Sequence, residues 1–335
     1  MKAVATQSGT IVIAELEPKK LEYGHVRIRT EYSAISPGTE LSMVNCSSES
    51  RILLGYSAVG IVEQVGDGVS CDLVGQRVAC YGAPYVCHAE WLTVPTNLIA
   101  LVPDKVDPKE AAFGGLGAIA VHALRVADLR FGESAVIVGL GTLGNLIAQI
   151  AHAAAYRTVA LDTDARRAEM LRQHGLDQVY ADQRLMELEL SEVVGEAGAD
   201  AVLLCVSGSG EAVTNSALTW IRDRGKVVIV GDLSMDYSRE LMFQKEAQVL
   251  ISRAGGPGRY DKQYEQENRD YPIGHVRWTE GRNLEAYIRL LADGRISMKK
   301  LITHVYPVAR AEEAYDNYRE RRDVVATLLQ YGHET

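Results

Sequence analysis

The residues with the plainest chemical meaning are Gly139, Gly141 and Gly144, which stand in the spacing G-x-G-x-x-G with Thr142 and Leu143 inside it. A β-rich run, Ala135 to Val138, leads into them. A helical pattern follows from Asn145 to Ala155, and a second apolar strand, Thr158 to Leu161, ends on Asp162. Each part has a task in binding a dinucleotide. The first glycine permits a tight turn, the second lets backbone approach a pyrophosphate, and the third lets helix pack on strand. The start of the helix offers unpaired N–H groups and the positive end of its dipole. Asp162, about 20 residues on, is placed to accept hydrogen bonds from ribose hydroxyls, and its charge repels a 2′-phosphate, which points to NAD rather than NADP. Arg166 and Arg167, four and five residues further on, work against that preference. A glycine-rich turn in an ordinary βαβ unit needs none of this context; here strand, helix and terminal acid are all present.

A second concentration of polar chemistry spans 253–282, where tyrosines and arginines are dense and apolar periodicity vanishes. Connections longer than about 12–15 residues without regular structure are usually functional or disordered, and the aromatic content speaks against disorder. Arg253, Tyr260, Tyr264, Tyr271, Arg277 and Trp278 offer donors and stacking faces of the kind that hold sugars or aryl rings. Arg277 could pair with a substrate phosphate or carboxylate. Loop packing or a protein interface is the competing use of the same residues.

These groups need a scaffold, and 335 residues suggest two domains rather than one core. With 47% apolar and 24% charged residues the chain is an ordinary globular protein. A net charge of −9 argues against a nucleic-acid surface, which wants a basic face. The first residues lack the apolar core of a signal peptide, and no uncharged apolar run reaches the roughly 18 residues of a membrane span, so a cytoplasmic protein without membrane contact is expected. The five cysteines, Cys46, Cys71, Cys80, Cys87 and Cys205, contain no C-x-x-C pair, which argues against a disulfide framework and a four-thiolate zinc lobe.

From Met1 to about Pro103 the pattern is of short strands: Ala3 to Thr6, Thr10 to Glu15, His25 to Ser33, Ala58 to Val65, Arg77 to Tyr81 and Glu90 to Val94. Turn residues separate them, as in a compact antiparallel barrel. Ile35 to Asn45 reads as a loop entering a short helix, and Tyr81 to Glu90 as a connection holding polar groups. Pro108 to Val126 has helical apolar spacing. Beyond Asp162 strands and helices alternate: helices at Ala165 to His174, Leu185 to Glu196 and Glu211 to Ile221, strands at Gln178 to Tyr180, Ala201 to Cys205, Gly225 to Val230 and Glu246 to Ser252. That alternation indicates a doubly wound parallel sheet. An amphipathic helix at Asn283 to Asp293, a strand at Leu301 to Tyr306, a helix at Ala311 to Arg319 and a strand at Val324 to Leu329 close the chain.

The order of parts resembles the medium-chain dehydrogenase/reductase (zinc-alcohol-dehydrogenase-like) superfamily over essentially the whole chain. The residues that carry the resemblance are GYSAVGIVEQVGDGV at 55–69, GQRVAC at 75–80, HAEW at 88–91, VIVGLGTLG at 136–144 and LITHVYPVARAEEAYD at 301–316. Within it, ISPGTE at 35–40 and RWTEGRN at 277–283 look like a branch related to bi-domain oxidoreductases of sugar and secondary metabolism, without their second domain. ISPGTE followed by GY also resembles, more distantly, the dehydrogenase of bacteriochlorophyll synthesis. The resemblance implies an α/β fold: a doubly wound parallel Rossmann sheet over 114–253, a β-rich GroES-like catalytic domain over 1–113, and a C-terminal return segment, 254–335, that completes the latter. It further implies NAD as cofactor, with the backbone of Cys205, Val206, Ser207, Gly231, Asp232 and Leu233 facing the nicotinamide ribose, and a homodimer paired along Glu246 to Ser252.

The departures from the family pattern bear on mechanism. Zinc-dependent members carry a cysteine where this chain has Ser36 and a histidine where it has Tyr56, and AAFGGLGAIAVH at 111–122 offers no acid or thiol as third ligand. A catalytic zinc needs three such ligands and an open position, so no catalytic or structural zinc is expected. Cys46, Cys80, Cys87, His88 and Glu90 could in principle form a different site, although their spacing fixes no geometry. Something else must then exchange a proton with the substrate oxygen. Tyr56 matches the position of the missing histidine, and since a free phenol has a pKa near 10 a partner that lowers it is expected; the alternative is that Tyr56 only fills the vacated space. His88 has the intrinsic pKa of a proton shuttle or serves as a structural histidine. Thr39 borders the nicotinamide in relatives and could hand on a proton, while Glu40 is either part of that machinery or an acid at the start of a short helix. The leading expectation is a zinc-independent oxidoreductase moving a hydride between NAD(H) and a secondary alcohol or ketone on a sugar-like or secondary-metabolite scaffold. An NADPH-dependent enone or quinone reductase and a non-catalytic NAD(H)-binding redox sensor are the alternatives.

Overall fold

A computed structural model describes residues 1–321 and 323–332. The chain divides into two compact units, Met1–Ala118 with Gly255–Thr335, and Ile119–Ala254. Both boundaries are displaced from the expected 113/114 and 253/254, and the first falls inside the helix Gly114–Ala127.

In the second unit, among the described residues, six parallel strands stand in the order Val179–Tyr180, Arg157–Leu161, Ser134–Val138, Ala199–Leu204, Ile221–Ile229, Gln248–Ile251. The chain leaves Ser134–Val138 in one direction along the sheet and returns on its other side through Ala199–Leu204, which makes this strand pair the topological switch point where open α/β sheets bind ligands. Ser134–Val138 is buried at every residue, so it reads as an unbroken apolar run rather than an alternation. Val136, Leu161, Val202 and Ile229 pack with Met186, Leu218 and Trp220 of the connecting helices.

In the first unit the central strand is His25–Ala34, which pairs with Ser57–Val65, Trp91–Pro95 and Ala326–Gln330, all antiparallel. Ile302–Pro307 pairs parallel to Ala326–Gln330, so the C-terminal strands finish a sheet that the N-terminal residues begin. A smaller sheet joins Thr10–Glu15, Lys2–Gln7 and Ile52–Leu53. The expected antiparallel arrangement therefore carries one parallel pair.

Local departures have local causes. The helix expected over Pro108 to Val126 is two, Pro108–Ala111 and Gly114–Ala127, parted just before the Gly114-Gly115 pair, where glycine weakens helical continuity. Ile221 opens a strand instead of closing a helix. The polar stretch 253–282 contains the short helix Lys262–Glu265 and the start of the helix Glu280–Ala292, which begins three residues earlier than its apolar periodicity because the Thr279 side chain caps it by accepting from Arg282 N–H.

Gly117 shows how tightly the first unit is packed. A Cβ there would lie 2.2 Å from the ring of Tyr287, which is fully buried and donates its hydroxyl to Glu110 O at 2.9 Å. Gly117→Ala is expected to destabilise the protein by about 1–3 kcal/mol through overpacking. Urea unfolding should show a lower midpoint at an unchanged slope.

Candidate active site

The glycine motif of the second unit adopts the geometry its spacing requires. Gly139 has φ +90°, a left-handed value that glycine adopts without penalty. A Cβ on Gly144 would fall 1.7 Å from Gly139 O, so helix Thr142–Ala153 can approach the strand only with glycine there. Gly141, by contrast, faces open space, and this helix start carries no side-chain cap. Asp162 Oδ2 accepts from Leu140 N–H at 2.7 Å and its Oδ1 from Asp164 N–H at 2.8 Å, which fixes the carboxylate against the turn. Arg167 Nη1 lies 3.7 Å from Asp162, while Arg166 is tied to Asp164 at 2.7 Å. At the ends of the neighbouring strands, Gly208 N–H donates to Asp232 O at 2.8 Å and Gly231 N–H to Leu204 O at 2.9 Å. A Cβ on Gly139 would touch Val206 at 2.6 Å, and one on Gly231 would overlap Val206 O at 1.9 Å. The stretches containing Gly139 to Gly144, Asp162, Cys205 to Ser207 and Gly231 to Leu233 thus meet at one end of the sheet. An uncapped helix N-terminus, a close-packed glycine turn and an anchored acid fit a dinucleotide.

In the first unit, Tyr56 donates its hydroxyl to Ser36 Oγ at 2.5 Å, and the Thr39 hydroxyl also reaches it. Burial raises the phenol to about 12, with the Ser36 hydroxyl pulling the other way and Glu40 adding to the rise. The lowered phenol expected from sequence is thus corrected: two neutral hydroxyls do not offset desolvation, and Tyr56 stays protonated as a hydrogen-bond donor. Ser36 is itself held in place. Its N–H donates to Glu40 Oε1 at 2.8 Å, across the first turn of the helix Pro37–Asn45. Glu40 is fully buried and also meets His88 Nε2 at 2.9 Å and the Tyr315 hydroxyl. His88 Nδ1 pairs with Ser33 Oγ at 2.7 Å, so both ring nitrogens are used. This arrangement makes His88 and Glu40 a buried brace behind Ser36 and Tyr56.

The donor set here does not suit a zinc ion. Ser36 and Tyr56 present neutral hydroxyls that hydrogen-bond each other, where the metal wants thiolate, imidazole or carboxylate. Cys80 and Cys87 are buried, with burial raising both thiols, to about 11 for Cys87; Cys46 is exposed. No group of three or more His, Cys, Asp or Glu side chains suited to a metal occurs among the described residues.

The aromatic segment divides. Tyr260 is exposed, with the Arg259 guanidinium 4.2 Å over its ring. Tyr264 is buried and donates to Thr279 Oγ1 at 2.9 Å, stacked on Tyr271 at 5.5 Å; Tyr271 in turn donates to Asp261. Arg277 stacks on Trp278 at 3.9 Å. A cavity of about 470 Å³ takes in Tyr264, Arg277 and Trp278 along with Asn97, Arg282 and Glu285; Tyr260 and Tyr271 do not line it. Arg253 is exposed and falls in the other unit. Sequence reasoning passed over Tyr81, Arg259, Glu265 and Glu280. Tyr81 meets Tyr56 edge-on with centroids 5.9 Å apart, and Glu265 and Glu280 are buried. An acid at the first position of a helix reads as a dipole partner on the surface, which hides its burial.

Residues 142–267 match the family model described as zinc-binding dehydrogenase. The D-guloside 3-dehydrogenase of Escherichia coli (strain K12) is 26% identical over 353 residues, covering 95% of each chain. Galactitol-1-phosphate dehydrogenase from Escherichia coli superposes with a TM-score of 0.79 at 20% identity, over 98% of this chain and 100% of the other. An Escherichia coli CFT073 alcohol dehydrogenase complexed with NADH superposes with a TM-score of 0.79 at 18% identity, over 98% and 99%. Residues 142–267 thus carry the zinc-binding dehydrogenase family's pattern, the fold is that of alcohol and sugar dehydrogenases, and the named relatives make the chain an oxidoreductase acting on CH–OH groups.

Asp162→Asn keeps one acceptor for the turn and removes the charge. Its loss should shift the ratio of NADH to NADPH affinity towards NADPH by roughly tenfold, from the 1.5–3 kcal/mol typical of hydrogen bonds to charged groups. Fluorescence titration with both nucleotides measures it.

Proposed function

We propose that the protein is a zinc-independent, NAD(H)-linked dehydrogenase that interconverts a ketone and a secondary alcohol on a sugar-like or polyol substrate. The observation that carries this reading is the protonated Tyr56 at the position of a family zinc ligand, braced through Ser36 by Glu40. The sugar and polyol substrates named for the relatives support the substrate class. Anchored Asp162, with Arg166 drawn off by Asp164, supports NAD over NADP.

Bound nicotinamide would supply or accept the hydride. Gly139, Gly141, Thr142, Leu143 and Gly144 would hold its pyrophosphate and Asp162 the adenosine ribose. Tyr56 turns its O–H from Ser36 to the ketone oxygen and gives it the proton as the carbon gains the hydride, so that one hydride and one proton make the alcohol. The phenolate left on Tyr56 is held by hydrogen bonds from the Ser36 and Thr39 hydroxyls and takes its proton back from solvent water. A phenol raised to about 12 is protonated at neutral pH, the form ketone reduction needs, whereas alcohol oxidation needs the phenolate, which is scarce there. Tyr56→Phe should lower kcat for reduction by roughly 10²–10⁴-fold, the usual worth of a positioned acid, while NADH binding holds. An unchanged kcat would return Tyr56 to a packing role. A screen over ketones, alcohols, enones and quinones separates this reading from a C=C reductase, and NADH binding without turnover of any of them would mark a redox sensor.

A cytoplasmic homodimer is part of the same proposal. Gln248–Ile251 ends the parallel sheet, with Ile251 and Phe243 exposed nearby in sequence. An open apolar strand edge invites pairing with another. Ile251→Lys should move the species seen by sedimentation from dimer to monomer; an unshifted dimer would place the interface elsewhere.

A further inference from the structure

One buried cluster in the first unit has more carboxylates than cations to meet them. Arg259 and Glu265 form a buried ion pair, and Arg259 Nη2 also donates to Ala83 O at 2.7 Å. Glu280, with no exposed surface, sits beside them. No donor among the described residues reaches either of its carboxyl oxygens. The charged group that acts on it most is the Glu265 carboxylate, and two neighbouring carboxyl groups can share a hydrogen bond only when one holds a proton. The groups facing Glu280 are Glu265 and Tyr264 from helix Lys262–Glu265, Arg259 from the preceding loop, Tyr81 from strand Arg77–Tyr81, and Tyr271.

The cluster lies against the proposed proton donor. A Cβ on Gly255 would come within 2.5 Å of the Tyr81 ring and 3.0 Å of Glu280 Cβ, and one on Gly115 would meet the Tyr81 ring at 2.7 Å. Tyr81 is therefore clamped between two glycines, and its ring abuts Tyr56. Glu280 N–H donates to Pro257 O and Asn283 Nδ2 to Gly255 O, both at 2.8 Å, which binds the clamping loop to the helix Glu280–Ala292.

We infer that Glu280 is a positioning residue that works as an uncharged acid: its proton bridges to Glu265, closes the loop over Tyr81, and so holds Tyr56 in place. Burial, then the charge of Glu265, raises the Glu280 carboxyl from 4.5 to about 9, against the smaller pull of Arg259. The position at a helix N-terminus favours the anion, but that effect is worth about 0.3–1 kcal/mol at exposed sites and does not replace lost hydration. Because the folded value lies above the unfolded one, the proton's stabilisation is complete below 4.5 and is lost as pH rises through about 9. Opening of the cluster then takes Tyr56 out of register.

Glu280→Gln tests this, because the amide can donate to Glu265 at every pH. The melting temperature of the variant should match wild type below pH 4.5 and exceed it by a growing margin, at least about 5 °C, as pH rises from there to about 9. Parallel melting curves, or a variant less stable at alkaline pH, would overturn the inference. Should the variant not fold, infrared spectra of wild type with ¹³C-labelled glutamate give the same decision. A protonated carboxyl band present at neutral pH and lost above about 9 supports it, and its absence at neutral pH refutes it. The kinetic arm rests on the proposed reductase reading: wild type should lose kcat through a step near 9 that Glu280→Gln lacks. A step retained in the variant removes the link to Tyr56, while the melting and infrared results stand apart from any activity.

Discussion

A carboxyl group with no solvent contact must find its hydration replaced by protein partners, and the fully buried Glu40 does so from three separate parts of the chain. Ser36 N–H comes from the start of its own helix, His88 from the connection before strand Trp91–Pro95, and Tyr315 from the C-terminal helix Ala311–Glu320. His88 bridges the Glu40 carboxyl through Nε2 and Ser33 on the central strand through Nδ1. One buried carboxyl group therefore ties the N-terminal strands, the 82–90 connection and the C-terminal return together. Its outermost link, Ser36, is the partner of Tyr56. The same contacts that stabilise the unit also place the candidate proton donor.

The two units solve different physical problems. The parallel-sheet unit brings backbone close to backbone, and its glycines are required by distance: at Gly144 a single added carbon would overlap a carbonyl. The other unit buries polar side chains that lose their hydration. A closed network replaces it around Glu40, while Glu280 lies beside the Arg259–Glu265 ion pair with both carboxyl oxygens unmet by any described donor. In the proposed reading, the protonated Tyr56 would polarise a carbonyl by hydrogen bonding, a different means from a Lewis-acidic metal.

The parallel-sheet unit was largely legible in the sequence because its signals are local. G-x-G-x-x-G, the helix after it and Asp162 lie within one βαβ unit, and the apolar strands announce themselves by composition. The N-terminal strands were legible for the same reason. Burial of charge was not. Glu40 reads as an ordinary acid near a helix start, and its companions Ser33, His88 and Tyr315 are up to 275 residues away. The direction of the Tyr56 shift also escaped, because desolvation depends on what packs over the ring. In the 253–282 segment aromatic and basic residues suggested a ligand surface, yet Tyr264 turned inward and Tyr271 stacked on it. Arg259, Glu265 and Glu280, unmarked by any periodicity, formed the buried cluster.

The central claim is that the proton comes from a phenol and that no metal polarises the substrate. Its most direct test is metal analysis of purified protein by mass spectrometry, paired with ketone reduction before and after exhaustive chelation. The account predicts zinc well below one equivalent per chain and an undiminished rate. One tightly held zinc per chain, with activity lost on chelation and restored by zinc, would contradict it.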